Sequence, residues 1–177
     1  MAKQRGRVRW LLGVLGVALV VHLAVVFLYP YLVTDYLYKR LIERTGRNTL
    51  HHAHQPTPQD REVPMPSPDL IYSAGAYDVT QHPLHITAPL TGSYLSLSLY
   101  ADNMDNFFVQ NDRQVQHHQF DVIVVGPGDP LPHATGSLVV RAPSATGIIL
   151  FRCFAGTRLA LRKVADVQQQ IHCTIWQ

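Results

Sequence analysis

Three regimes of hydrophobic patterning follow one another along the chain. From Trp10 to Tyr29, W-L-L-G-V-L-G-V-A-L-V-V-H-L-A-V-V-F-L-Y, no Asp, Glu, Lys or Arg interrupts the apolar run. As a helix this segment reaches ~30 Å at ~1.5 Å per residue, the thickness of a bilayer core. It therefore predicts a membrane-spanning helix over 10–29, preceded by a basic tail over 1–9. From Ser67 onward the period changes. In Y-L-S-L-S-L-Y, Leu95, Leu97 and Leu99 alternate with Ser96 and Ser98, the mark of a strand with one face in a core. Seven such runs, Leu70 to Val79, Leu84 to Thr87, Tyr94 to Tyr100, Phe107 to Val109, Phe120 to Val125, Ser137 to Arg141 and Ile148 to Phe154, are parted by turn-forming stretches such as A-P-L-T-G and G-P-G-D-P. The expectation is a mainly β domain over 67–177, an antiparallel sandwich or barrel-like fold. Ala160, Val164, Val167 and Ile171 then recur at helical spacing, so one C-terminal helix packs on the module before a last strand, His172 to Trp176.

Two connecting segments lie between anchor and domain. In 30–46, Val33, Leu37 and Leu41 are spaced as on one helix face, with Lys39, Arg40 and Arg44 interleaved. This predicts a juxtamembrane amphipathic helix lying on the membrane surface, or a plain continuation of the anchor into solvent. Residues 47–66 carry four prolines and no sustained periodicity, which predicts a semi-extended spacer. Its triplet His51, His52 and His54 has no Cys, Asp or Glu at ligand spacing, so it reads as a solvated run.

Charge refines the picture of the anchor. A cleaved signal peptide shares its basic tail and apolar run, but such apolar regions are shorter and end in a small-x-small site. This run opens with Trp10 and closes with Tyr29, Pro30 and Tyr31, the aromatic belt of a retained helix. The tail with Lys3, Arg5, Arg7 and Arg9 has no acidic residue, which orients the N-terminus inside and exports the C-terminal domain. The net charge of +3 is concentrated beside the apolar run, where it meets anionic headgroups, so membrane lipid is the expected partner. The β-module has no basic stripe interleaved with aromatics, and nucleic acid is excluded as a partner. His22 is the ionisable group of the anchor, read as a neutral histidine tolerated in a single helix or as one facing a partner helix.

Few residues advertise chemistry. Asp102, Asn103, Asp105 and Asn106 gather oxygen ligands, but not at the spacing of a Ca²⁺ loop, and Asx residues are what a strand-to-strand turn needs. His82 and His85 point to opposite faces of an extended segment, and the adjacent His117 and His118 have the same difficulty. No G-x-S-x-G or comparable nucleophile signature is present, and no motif calls for a metal or a cofactor. Arg152 interrupts the apolar run G-I-I-L-F-R-C-F, so its charge must find a carboxylate, a carbonyl or a ligand. The ligand candidates are therefore Arg152, Asp102, Asp105 and Asn106. Cys153 and Cys173 form either a disulfide between the last two strands or a pair of buried free thiols.

The stretch S-P-D-L-I-Y-S-A-G-A-Y-D-V-T-Q-H-P-L-H-I-T-A-P with Y-L-S-L-S-L-Y-A-D-N-M-D-N-F-F resembles the bacterial family called domain of unknown function 1254. Ser67, Pro68, Tyr72, Asp78, Pro83, Ile86, Pro89, Tyr94, Asn106 and Phe107 carry the resemblance, and A-L-R-K-V-A-D-V-Q-Q-Q is similar to the family's ending, with Gln168 or Gln169 in place. The family's Asn-x-Asp-Thr turn is reduced here to Asp69-Leu70-Ile71. The resemblance implies a bacterial β-fold with no settled activity, and with the anchor read above the expectation is an inner-membrane protein whose domain stands in the periplasm. It also implies a missing second β-domain, number 1214 in the same series, to which many members are fused. The expectation is an interaction subunit for a separately encoded β-domain protein. The alternative is an envelope enzyme or small-ligand binder for a lipid-derived or anionic substrate.

Overall fold

The computed structural model describes residues 2–57, 66–115 and 118–176. Helix α1 (Ala2–Thr45) is continuous through the apolar run and the segment after it. Its 44 residues extend ~66 Å, more than twice a bilayer core. Its apolar residues, Trp10, Phe27 and Leu28 among them, are exposed on all sides. α1 is long and apolar enough to cross a membrane. Pro30 lies inside it and cannot donate to the preceding turn, yet the helix does not end there. The Thr34 hydroxyl donates back to the Pro30 carbonyl at 2.9 Å, and Lys39 pairs with Asp35 one turn on. The helix stops at Gly46, whose positive φ lets its N–H close on the Ile42 carbonyl.

The segment after Gly46 is not wholly a spacer. Thr49–His52 forms β1, which lies antiparallel on β2 (Leu70–Asp78). Four residues are too few for alternation to announce a strand, but β2 would otherwise present a bare edge. Asn48 fastens the turn into β1: its side chain accepts from the Asp78 N–H at 2.7 Å and donates to the Asp78 carbonyl at 3.0 Å. Residues 58–65 of the expected spacer lie outside the described residues.

The remaining strands are β3 (Leu84–Pro89), β4 (Leu95–Tyr100), β5 (Asn106–Asn111), β6 (Gln119–Val125), β7 (Leu138–Arg141), β8 (Thr146–Phe154) and β9 (His172–Ile175), with α2 (Arg158–Gln168) before the last. They build a sandwich of two sheets, β1-β2-β8-β4-β5 and β7-β6-β3-β9. The mainly β fold with a C-terminal helix is thus the observed one. One pairing departs from the antiparallel expectation: β7 runs parallel to β6. A parallel pair needs a connection of about a dozen residues, and the Gly- and Pro-rich segment 126–137 supplies it where a tight hairpin would have been antiparallel.

Leu95, Leu97, Leu99, Ile149 and Phe151 from the first sheet meet Leu84, Ile86, Phe120, Val122 and Val124 from the second. Phe120 and Phe151 touch edge to face across the layers, their centroids 6.0 Å apart. α2, capped by the Thr157 hydroxyl on the Ala160 N–H, adds Val164 and Val167 to this core. Gly75 faces Leu50 across the β1–β2 pair, and a Cβ there would run into the Thr49 carbonyl and the Leu50 side chain. Gly75→Ala is expected to destabilise the domain by ~1–3 kcal/mol. The change should be read as a lower urea midpoint at unchanged slope.

Candidate functional site

β8 is apolar on both faces. Ile149, Phe151 and Cys153 point into the sandwich core, while Ile148 and Leu150 point outward beside Arg152. An outward apolar row on a central strand requires a cover. The C-terminal half of α1 provides it, lying across β1, β2 and β8 with Leu37, Tyr38, Leu41 and Ile42 half-buried. The face expected to rest on a membrane surface therefore rests on a sheet, and 30–45 is a continuation of the long apolar helix.

The cover is incomplete. Between α1 and the sheet runs a groove of about 300 Å³, floored by Ala74, Ile148 and Leu150 and walled by Leu37 and Leu41. Tyr72, Tyr100 and Met104 extend its apolar lining, and Arg40, Arg44 and His51 bring polar groups to it. Such a volume sits at the lower end of the ~300–1,000 Å³ typical of small-molecule clefts.

Arg152 is half-buried next to this surface. Its guanidinium donates to the Tyr100 hydroxyl at 2.8 Å, a partner that is neither the carboxylate nor the carbonyl expected. Tyr100 in turn pairs with Asn106 and lines the groove with Met104, so it links Arg152 to the turn that holds the other ligand candidates. Within that turn the polar groups bond to one another. Asn103 donates to the Asp105 carboxylate at 2.6 Å and accepts from the Asp105 N–H at 3.0 Å, while the Asp102 N–H donates to the Ser144 hydroxyl. Met104 takes the left-handed conformation at φ 67° that closes the loop. Asp102 and Asp105 thus serve the turn, Asn106 opens β5 opposite Tyr100, and no group of three or more metal-ligating side chains forms among the described residues.

On the opposite sheet His85 donates to the Asp121 carboxylate at 2.8 Å and stacks edge-on against Trp176. Burial would raise the Asp121 carboxyl, but hydrogen bonds from Ser137 and His85 and the attraction of His85 outweigh it, and its pKa is lowered. Asp121 borders a polar cleft of about 350 Å³ between β5 and β7, lined also by Gln110 and Leu138. His82 lies apart, in a separate hollow with Arg47 and Asp78. His117 lies outside the described residues.

Sequence reasoning missed a buried polar chain behind the groove. Gln168 of α2 donates to the Ser73 hydroxyl at 3.1 Å, and the Ser73 hydroxyl meets His52 Nδ1 at 2.9 Å. Burial and the neighbouring His51 lower the His52 pKa, so this histidine stays neutral at and above the ordinary imidazole range. With Gln168 donating, Ser73 is free to donate to neutral His52. Ser73 is fully buried, so the chain ties β1, β2 and α2 together and offers no accessible nucleophile. Its one visible signal was the glutamine run that ends α2. The groove had a clearer signal: the unbroken apolar stretch of β8 implied burial on both faces.

The two cysteines are free thiols in different sheets, Cys153 on β8 and Cys173 on β9, and burial pushes both up to about 12. His22 is exposed on α1 like its neighbours, as are Trp10 and Tyr29 at the ends of the run.

Against this geometry stand the comparisons with other proteins. The sequence model of a family described as protein of unknown function (DUF1254) matches residues 47–175. The VPA0106 protein from Vibrio parahaemolyticus, a crystal structure, superposes with a TM-score of 0.65 at 15% identity, over 84% of this chain and 36% of its own. An uncharacterised protein from Burkholderia cenocepacia superposes with a TM-score of 0.52 at 16% identity, over 78% of this chain and 36% of its own. At these identities the likeness shows a shared fold. The chain spans about a third of the length of either structure. A search of the curated proteins finds no match.

The ionisable groups carry two expected outcomes. A carboxyl lowered in the folded state contributes stability above its ordinary value near ~4 and loses it as pH falls through the folded value. Asp121→Asn should therefore cost ~0.5–1 kcal/mol at neutral pH, with wild type and variant converging in acid, as measured by urea melts across pH. Alkylation without reductant should modify both cysteines in denaturant, whereas Cys153 in the folded protein should resist it.

Proposed function

Since the chain belongs to the DUF1254 family and carries an apolar N-terminal helix, we propose that it is a membrane-anchored docking subunit for a second, separately encoded β-domain protein. In this reading α1 spans the bacterial inner membrane through 10–29 with its N-terminus inside, and the sandwich stands in the periplasm. The observation that carries the docking half is length. The chain superposes over most of itself on two proteins of which it spans only 36%, so this sandwich is elsewhere joined to much more chain.

Support for retention of α1 comes from its continuity. The helix that holds the apolar run is the same helix whose later turns cover the first sheet. An unattached domain would keep that cover but gain nothing from the exposed apolar run before it.

The open side of the sandwich between β5 and β7 is the docking surface in this reading. β5 and β7 are edge strands, so each has backbone groups available for pairing. Val109 and Leu138 are large apolar residues exposed there, at 51% and 44%. The buried Gln110 Oε1 beside the cleft has no hydrogen-bond donor among the described residues, a cost that a partner's N–H would remove.

Purification of the full-length protein from native membranes in detergent tests the proposal. A second β-domain protein should co-purify at about one copy per chain. Leu138→Glu should release it while leaving the protein in the membrane fraction. Recovery of the wild type as a lone monomer would overturn the docking half, and recovery in the soluble fraction would overturn the anchor.

A further inference from the structure

The apolar floor of the groove between α1 and the first sheet ends at a cluster of hydrogen-bond donors. We propose that this groove binds a small monocarboxylate, its apolar body lying over Ala74, Ile148 and Leu150 and its carboxylate held by Arg152, Tyr100 and Tyr72. The inference rests on neither the docking nor the anchoring half of the preceding reading.

Strand register places the cluster. Tyr72, Tyr100 and Leu150 all line the groove. Arg152 follows Leu150 in the outward row of β8 and lies directly across from Tyr72 on β2, while its guanidinium reaches the Tyr100 hydroxyl at 2.8 Å. Its nearest neighbours on this face are therefore groove residues. The half-buried charge stands where the apolar floor stops.

Hydrogen bonding names the ligand. A guanidinium carries several N–H donors, and the bond to Tyr100 goes to a neutral hydroxyl, which partners the group without neutralising it. Tyr100 accepts from Arg152, and Tyr72 accepts from the Ser67 N–H at 3.2 Å, so each phenol keeps its own proton to donate. Guanidinium and phenols together call for an acceptor. Ser98 is an independent sign of the same want: it sits across from Leu150 on this face, fully buried, and its Oγ has no hydrogen-bond partner among the described residues. A carboxylate brings two coplanar oxygens to the guanidinium fork and one charge to one arginine. An apolar body behind it leaves water for the floor of the groove, a gain that an inorganic anion lacks. Arg40 also lines the groove, but at an exposed position of α1 where water solvates its charge.

The test irradiates the full-length protein in nanodiscs with para-benzoylbenzoate, a photoreactive aromatic carboxylate, or with the matching neutral alcohol, and locates the label by mass spectrometry. The carboxylate is expected to label the peptides bearing Met104 and Leu150, and the alcohol to label them about ten-fold less. This comparison in the wild type needs no variant to fold. Arg152→Met, which keeps the bulk of the side chain and removes its charge, should lower carboxylate labelling by about ten-fold and bring the two probes level. Tyr100→Phe should lower it by a smaller factor, and Arg40→Ala should leave it unchanged, each variant being checked for a wild-type urea midpoint. Displacement of the label by excess decanoate or by excess phenylbutyrate supports the site and tells an aliphatic from an aromatic body. Displacement by neither, equal labelling by acid and alcohol in the wild type, labelling unchanged in Arg152→Met, or labelling lost in Arg40→Ala would each overturn the proposal. Membrane retention and co-purification of a partner are read separately and are untouched by any of these outcomes.

Discussion

A strand that is apolar on both faces needs two covers, and β8 is that strand. Its inward residues find the second sheet through Phe151 and Phe120, and its outward residues Ile148 and Leu150 find α1. Most of the architecture follows from this demand. β2 and β4 flank β8 and supply its ladder, the second sheet closes the core, and α1 is held against the sheet. α1 is held to the domain by β1 and β2 as well as by the outward row of β8, and by the turn at Gly46 and Asn48.

That arrangement makes the long apolar helix one wall of a groove. A flexible tether leaves a domain free to tumble relative to the segment before it, whereas a continuous helix packed on a sheet fixes the domain's orientation to the helix axis. The groove exists because the two covering surfaces do not match. Ala74 is too small to fill the space beneath Leu37 and Leu41, so an apolar cleft persists where a larger residue would have sealed it. The polar cleft between β5 and β7 has a different origin, since sandwich edges stay open wherever no strand crosses between sheets. The two clefts lie on different faces and differ in chemistry, one mainly apolar and one polar.

Buried polar groups report how the pieces are joined. Ser73 collects Gln168 from α2 and His52 from β1, so the short first strand and the C-terminal helix share one buried hydroxyl. Arg152 plays a similar part outside the core, where its bond to Tyr100 spares a charge from lying unpartnered on an apolar strand. Neither arrangement places an accessible nucleophile beside a base.

The sequence by itself determined the elements whose signal is local. An uncharged apolar run marks the N-terminal part of α1, strict alternation in Y-L-S-L-S-L-Y marks β4, and Ala160, Val164 and Val167 at helical spacing mark α2, because backbone period alone sets which side chains share a face. The tertiary structure decided everything that depends on which surfaces meet. Thr49–His52 became a strand because β2 had an edge to fill, and β7 paired in parallel because a long connection let it return in the same direction. The face of Leu37 and Leu41 went to a sheet rather than to lipid because Ile148 and Leu150 needed covering more than a membrane surface did. An amphipathic face in a sequence states only that something apolar will cover it. Which surface does so is settled by the competition among all the apolar faces of the folded chain.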